Sequence, residues 1–184
     1  MRIVGGTFRG RNIIAPKGMA TRPTTDRVRE SLFNILEHGH DGCDGKRVLD
    51  LFAGSGAMGL EALSRGAGFT VLVDDAPAAR GAIRENVEAL SLQGATKIFR
   101  RDATKLGDLP SNLGQPFDLI FLDPPYGKGL GEQALDAARN GGWLAAEALC
   151  LVEETKGAFI TPEGFEELDR RAFGDTEVTF LTAK

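Results

Sequence analysis

The segment Asp123-Pro124-Pro125-Tyr126 closes the apolar run FDLIFLD and is the most specific chemical signal in the chain. Consecutive prolines donate no backbone hydrogen bond and keep the chain extended, so they present the Asp123 carboxylate and the Pro124 carbonyl as two fixed acceptors. An exocyclic amino group on a nucleobase is a weak nucleophile, because its lone pair is delocalised into the ring. Two acceptors that take its two hydrogens favour a pyramidal nitrogen whose lone pair points at an electrophilic methyl group. Tyr126 adds a stacking face, worth about 1–3 kcal/mol per base. The chemistry these residues suit is methylation of an amino group on a base.

A second cluster is DLFAGSGAMG, Asp50 to Gly59. Its glycines alone read as the loop of a nicotinamide-binding fold, and Asp74 stands where a ribose-binding acid belongs. Asp50 separates the two readings. A carboxylate just before the loop repels a pyrophosphate, whereas it attracts a ligand carrying an ammonium and a sulfonium. S-adenosylmethionine meets that preference, with Ala53, Gly54, Ser55 and Gly56 at its amino-acid end. Its ribose hydroxyls suit Asp74, or Asp75 beside it, and its adenine amino group suits Asp102, followed by Ala103. The structural alternative for Asp50 is a carboxylate that braces the loop or caps the helix after it.

These acids must be brought together by a sheet. From Lys46 onward, short apolar runs alternate with helical segments, the pattern of an α/β fold with a parallel sheet covered on both faces. The expected strands are RVLDL (47–51), FTVLVD (69–74), TKIFRRD (96–102), FDLIFLD (117–123) and ALCLVEE (148–154). The expected helices cover 57–64, 77–90, a brief stretch near 104–109, and 131–140. Ligands of such sheets bind beyond the carboxyl ends of the strands, where Asp50, Asp74, Asp102 and Asp123 all lie. Carboxylates so clustered repel one another unless a ligand or donor satisfies them. After Gly157, FEELDRRAF and TEVTFLTA read as a closing antiparallel pair. Trp143 is expected to pack just before the fifth strand.

The chain of 184 residues carries a net charge of −4, unevenly distributed. Residues 1–31 hold Arg2, Arg9, Arg11, Lys17, Arg22, Arg27 and Arg29 against Asp26 and Glu30, a balance of +5, so the remainder is strongly acidic. A basic leading arm on an acidic body is the asymmetry of a segment that meets nucleic acid. The arm begins with two short β-type runs, 2–4 and 12–15, which suggest a hairpin appendage. A helix capped by Thr24 or Thr25 follows, with Val28, Leu32, Ile35 and Leu36 on its docking face. We therefore expect a basic hairpin and helix extension over 1–40 and a catalytic domain over 41–184. The expected RNA contacts are Arg2, Arg9, Arg11, Arg22, Arg27, Arg29 and Lys128.

Other function classes have little support. No apolar run approaches a membrane span and the N-terminus lacks the apolar stretch of a secretory signal, which favours a cytoplasmic protein. Cys43 and Cys150 lack metal or disulfide spacing, His38 and His40 form no ligand pair, and Ser55 has no triad partner, so neither a metal nor a hydrolytic site is expected.

The residues RIVGGTFRGR at the start, RPTTDRVRESLFN at 22–34, DLFAGSGAMGLEALSRGA at 50–67 and FLDPPY at 121–126 together resemble the bacterial RsmD-type 16S rRNA guanine-N2 methyltransferases. The likeness extends through NGGWLAAEALCLVEE to about residue 154. It implies a Rossmann-like class I methyltransferase fold with a mostly parallel seven-stranded sheet, S-adenosylmethionine as methyl donor, and a guanine of small-subunit rRNA as acceptor, within an assembled particle. It implies a catalytic role for Asp123 to Tyr126 and cofactor contacts from the Asp50 loop, Asp74 and Asp102. A monomer is expected. Ala76 departs from the pattern, since many relatives have a second acid there, which leaves the ribose contact open between Asp74 and Asp75. The alternative activity is adenine-N6 methylation of DNA or RNA. A nicotinamide-dependent redox domain is opposed by the Asp123 segment, and for a non-catalytic RNA binder no catalytic position looks damaged.

Overall fold

Five strands run parallel and send their carboxyl ends to one edge: β1 (Arg47–Leu51), β2 (Phe69–Val73), β3 (Thr96–Phe99), β4 (Phe117–Leu122) and β5 (Leu144–Thr155). They belong to a computed structural model, which describes residues 1–18 and 25–184. β6 (Phe165–Phe173) and β7 (Thr176–Ala183) close the sheet as the expected antiparallel pair, with β7 inserted between β5 and β6. The order is β3-β2-β1-β4-β5-β7-β6, the seven-stranded α/β architecture anticipated from the resemblance.

Both faces of the central strands are apolar because helices cover both. α4 (Leu130–Asn140) packs Ala134, Leu135 and Ala138 over Leu49, Leu51, Ile120 and Leu122. On the opposite face, α1 (Asp26–Gly39) sets Leu32, Phe33 and Leu36 against Val48, Leu119 and Phe121, while α2 (Ala57–Ser64) and α3 (Pro77–Ala89) cover Leu72. Trp143 is fully buried, stacked on Phe117, with its indole N–H donating to the Gly107 carbonyl at 2.9 Å. Among the described residues no helix is long and apolar enough to cross a membrane.

Three local expectations need revision. β3 ends at Phe99, three residues short of Asp102. The helix near 104–109 is a single 3-10 turn, Ala103–Lys105. β5 begins at Leu144, because a bulge with Glu147 at φ 62° shifts its pairing with β4 between Phe117 and Leu119. Between the pairs at Phe117 and Leu119, β5 advances five residues while β4 advances two, and an irregularity of this kind erases the alternation by which a strand start is read.

The N-terminal arm is fastened to the body. Its two runs meet in one antiparallel bridge, Arg2 to Asn12, and Ile3 and Ile13 are buried among Leu60, Leu63, Ile83 and Val87. Glu61 of α2, fully buried, accepts from the Val4 and Gly5 N–H groups at 2.9 Å each. Ser64 accepts from Phe8 N–H at 2.9 Å and donates to the Gly5 carbonyl at 2.6 Å. Gly6 is required here, since a Cβ would stand 1.9 Å from the Ser64 carbonyl oxygen at a φ of 77°.

The expected RNA contact of Arg29 is corrected by this packing. Thr25 caps α1, accepting from Val28 N–H at 3.2 Å, and that start turns Arg29 onto the same face as Leu32 and Phe33, three and four residues on. Its side chain is wholly buried, bonded to Glu61 at 3.4 Å, to Asp26 at 2.7 Å and to the Arg2 carbonyl. Arg65 completes the cluster, reaching Glu61 at 2.8 Å and Glu37 at 2.9 Å. Arg22 and Thr24 lie outside the described residues.

Removing one member of a buried ion cluster strands the others. Arg29→Ala should therefore lower stability by about 3 kcal/mol or more, whereas Arg9→Ala, at an exposed site, should change it by less than about 0.5 kcal/mol. Urea unfolding of both variants checks the contrast.

Candidate active site

Asp50 is the penultimate residue of β1 and is 3% exposed. Its Oδ2 accepts from the Gly59 N–H at 2.9 Å, which joins the strand to the first turns of α2 and realises the bracing role. Gly59 makes the approach possible: a Cβ there would lie 2.8 Å from Thr70, 2.9 Å from Leu72 and 3.1 Å from Asp50 Oδ2. Burial, with a smaller push from Asp74, raises the Asp50 carboxyl to about 8, against the lowering effect of the Gly59 bond.

The intervening loop is held from both sides. Asp74, just past β2, accepts from Gly54 N–H through Oδ2 and from Ala76 N–H through Oδ1, both at 3.0 Å, whereas Asp75 is exposed. Asn86 of α3 donates to the Ser55 carbonyl at 2.8 Å. The same amide pairs with Ile14 of the arm, donating to its carbonyl at 3.0 Å and accepting from its N–H at 2.9 Å. Phe52 takes a φ of 56°, a left-handed conformation uncommon for a residue with a side chain. One cleft is lined by Asp50, Phe52, Ala53, Gly54, Ser55, Met58 and Asp123, together with Met1, Ala15 and Pro16 of the arm.

Asp102 follows β3 and caps the short turn at Ala103. Its Oδ1 accepts from the Thr104 N–H at 2.9 Å and from the Thr104 hydroxyl at 2.7 Å, which holds its carboxyl below the usual value. It does not line the cleft that Asp50 and Asp123 share.

Asp123 follows β4 and is half-buried; Pro124 is buried and Pro125 exposed. Burial, then the negative charges of Glu153, Asp50 and Glu154, push the Asp123 carboxyl well above the ordinary range. Tyr126 donates its hydroxyl proton to Glu153 Oε1 at 2.9 Å. Glu154, 2% exposed, accepts from Gly127 N–H at 3.0 Å and Thr155 N–H at 2.7 Å, so the loop is tied to β5 at two points. Glu153, Glu154 and Asn86 were absent from the residues singled out in the sequence. The two glutamates end the run ALCLVEE, and the signal that would have found them is that β5 neighbours β4, with Val152 opposite Leu122.

Sheet order therefore lines up the acids. Asp102, Asp74, Asp50, Asp123 and Glu153 lie at or close to the carboxyl ends of β3, β2, β1, β4 and β5, strands that are adjacent in that sequence and about 4.8 Å apart. Such a row suits an elongated ligand with hydroxyl and amino donors at one end and a cationic centre further along. Among the described residues no group of His, Cys, Asp and Glu could hold a metal ion. Of the arginines assigned to RNA, Arg2, Arg9, Arg11 and Arg27 are exposed, as is Lys128 past Tyr126. Arg2 pairs with Asp26 at 3.5 Å and Arg11 donates to the Ala89 carbonyl at 2.7 Å.

The model of the family described as Conserved hypothetical protein 95 matches residues 1–182. Ribosomal RNA small subunit methyltransferase D of Escherichia coli K12 is 40% identical over 153 residues, 83% of this chain and 74% of that protein. Its Haemophilus influenzae namesake is 34% identical over 178 residues, 95% of this chain and 89% of that protein. A solved Escherichia coli structure described as a methyltransferase superposes with a TM-score of 0.81 at 33% identity, covering 100% of this chain and 98% of that one.

The raised carboxyl of Asp50 has a consequence for the ligand-free protein. A group whose folded value lies near 8, against about 3.9 in the unfolded chain, binds its proton more tightly when folded, so its stabilising contribution is complete below pH 4 and is lost as pH rises through 8. Asp50→Asn keeps an acceptor for Gly59 and removes that loss. The variant should gain on the parent by a few kcal/mol, in order of magnitude, between pH 4 and pH 8, as read from urea midpoints across that range.

Proposed function

The chain belongs to the family described as Conserved hypothetical protein 95, that of the RsmD-type methyltransferases, and from that premise we propose that it methylates the exocyclic N2 of one guanine in 16S rRNA of the small ribosomal subunit, with S-adenosylmethionine as donor. The observation that carries this reading is the row of carboxylates in sheet order. It offers an acceptor for an adenine amino group at Asp102, acceptors for ribose hydroxyls at Asp74, and at Asp50 a buried carboxyl that the ammonium and sulfonium of a bound donor would hold ionised. Each Asp74 oxygen bonds one backbone N–H and retains a further acceptor site, so the hydroxyls can be taken without freeing the loop. The bound donor supplies an electrophilic methyl group on a positively charged sulfur.

The remaining work falls to the chain's own side chains. Ala53 to Gly56 let the backbone approach the ligand, and Asn86 keeps that loop in place. Asp123 and the Pro124 carbonyl accept the two amino hydrogens of the base, which localises the nitrogen lone pair. Tyr126 stacks on the base, and Met1, Ala15 and Pro16 help to close the cleft against water. A target guanine stacked in its RNA must be extruded to reach this loop. Residues 1–40 act as the RNA-contact unit, through Arg2, Arg9, Arg11, Arg22 and Arg27, and residues 41–184 carry the reaction, with Lys128 at its rim. The acceptor is rRNA within a small-subunit particle in the cytoplasm, engaged by a single copy of the chain.

Comparing methylated guanines in 16S rRNA from cells with and without the gene tests the assignment; an unchanged pattern overturns it. Asp74→Ala should weaken donor binding by about 1.5–3 kcal/mol in calorimetry, the worth of a hydrogen bond to a charged group. Asp123→Ala should leave donor affinity nearly intact and slow single-turnover methylation by about 100-fold or more.

The arm generates a separate expectation. Replacing Arg9 and Arg11 with Gln should weaken rRNA binding and flatten its logarithmic salt dependence by roughly 0.7–0.9 per lost phosphate contact. Neither side chain lines the cleft, so donor affinity should stay within about twofold by the same logic of separate contacts.

A further inference from the structure

Methylation of a neutral amino group leaves one proton too many. The nitrogen lone pair forms the N–C bond, the C–S bond breaks with its electron pair going to sulfur, and the resulting cationic nitrogen must release a proton before the product leaves. Asp123 is the carboxylate placed to accept it on the proposed reading, and the structure shows what surrounds that carboxylate. Parallel pairing of β4 and β5, with Leu122 opposite Val152, sets Asp123 beside Glu153. Glu153 is half-buried and accepts the Tyr126 hydroxyl at 2.9 Å. One side chain from the neighbouring strand thus touches the stacking residue and sits next to the residue that grips the amino group.

We propose that Glu153 is a positioning residue with two separable effects: its oxygen fixes the ring of Tyr126 for the incoming base, and its negative charge makes Asp123 the acceptor of the proton released from the methylated nitrogen. The inference rests on the reading of the site as a base amino-methyltransferase. Charge is what distinguishes Glu153 from a simple hydrogen-bond partner. Among the described residues, the charged groups that act on Asp123 are Glu153 and Glu154 of β5 and Asp50 of β1, and Asp74, past β2, acts in turn on Asp50. Tyr126 and Lys128 lie on the same loop. From β7, uncharged Val178 is opposite Glu153, and Glu177, opposite Glu154, is bonded to Arg170 at 2.9 Å and to Gly157 N–H at 2.9 Å. Glu154 is bonded to two backbone N–H groups. After burial, Glu153 is the largest influence raising the Asp123 carboxyl, which strengthens it as a base.

Three substitutions separate the effects. Glu153→Gln keeps an oxygen for Tyr126 and removes the charge, so the acid limb of the single-turnover pH profile should move to lower pH by about one unit, with RNA affinity nearly unchanged. Glu153→Asp should restore the parent limb. Tyr126→Phe keeps the ring and removes the tether, so the Michaelis constant for RNA should rise several-fold while the acid limb stays in place.

A readout without turnover is available because Tyr126 is the only tyrosine in the chain. With ¹³C-labelled tyrosine, its single ring signal should be sharp in the parent and in Glu153→Gln, and shifted or broadened in Glu153→Ala. An acid limb that does not move in Glu153→Gln, or a tyrosine signal indifferent to Glu153→Ala, overturns the inference while leaving the methyltransferase reading intact. A parent protein that binds S-adenosylmethionine but methylates no rRNA guanine overturns that reading, and the inference with it.

Discussion

Parallel pairing forces the carboxyl ends of five strands to one edge of the sheet, and in this chain each of those ends carries an acid. Crowding like charges there is costly, and the local structure is arranged around that cost. The Gly59 N–H in α2 meets Asp50, the Gly54 N–H of the glycine loop meets Asp74, the Thr104 backbone and hydroxyl meet Asp102, and the turn after Tyr126 meets Glu154. Each donor that stabilises a carboxylate also fixes a loop, so the electrostatic problem and the shaping of the cleft have one solution. Burial outweighs such donors at Asp50, and with neighbouring charge it dominates at Asp123; these are the two carboxyls whose proton affinity is raised most clearly. A cationic ligand and a proton-releasing reaction are the two things such a pair can use.

The second organising feature is the buried cluster of Arg29, Glu61 and Arg65. Burying charges is expensive, and a well-packed apolar trio would cost less, so the cluster contributes little as a source of stability. Its geometry does set register. Glu61 takes two N–H groups of the arm, Arg29 takes an arm carbonyl, and α1, α2 and the arm cannot slide past one another without stranding a charge. The arm is thereby placed so that Met1, Ala15 and Pro16 reach the same cleft as the glycine loop. Asn86 adds a direct link, since one buried amide bonds both Ser55 and Ile14. The glycine-loop side and the arm side of the cleft are thus connected through a few short, buried contacts.

Most of the element pattern was legible in the sequence because the parallel strands are continuous apolar runs and the helices carry clear stripes; α2 spans the expected residues 57–64. The ends that escaped are those governed by pairing. The start of β5 depends on a bulge opposite Phe117, and the stretch after Asp102 is too short to show a helical period. The acids at the strand ends and the Asp123-Pro124-Pro125-Tyr126 turn were likewise readable, since residue type and a rigid turn determine their chemistry locally.

Tertiary structure decided the rest. A positive charge in the sequence does not reveal whether it faces water or a buried carboxylate, and Arg29, indistinguishable by type from exposed Arg27, is committed to Glu61 because the helix phase turns it inward. Asn86 and Glu153 carry no local motif at all. Their positions follow from which helix packs over the glycine loop and which strand lies beside β4, and those depend on the order of a sheet whose neighbours are far apart in the chain. The sequence by itself determined which chemical groups the protein owns; only the folded sheet determined their order, their neighbours and their charge, because proximity across strands is a property of topology.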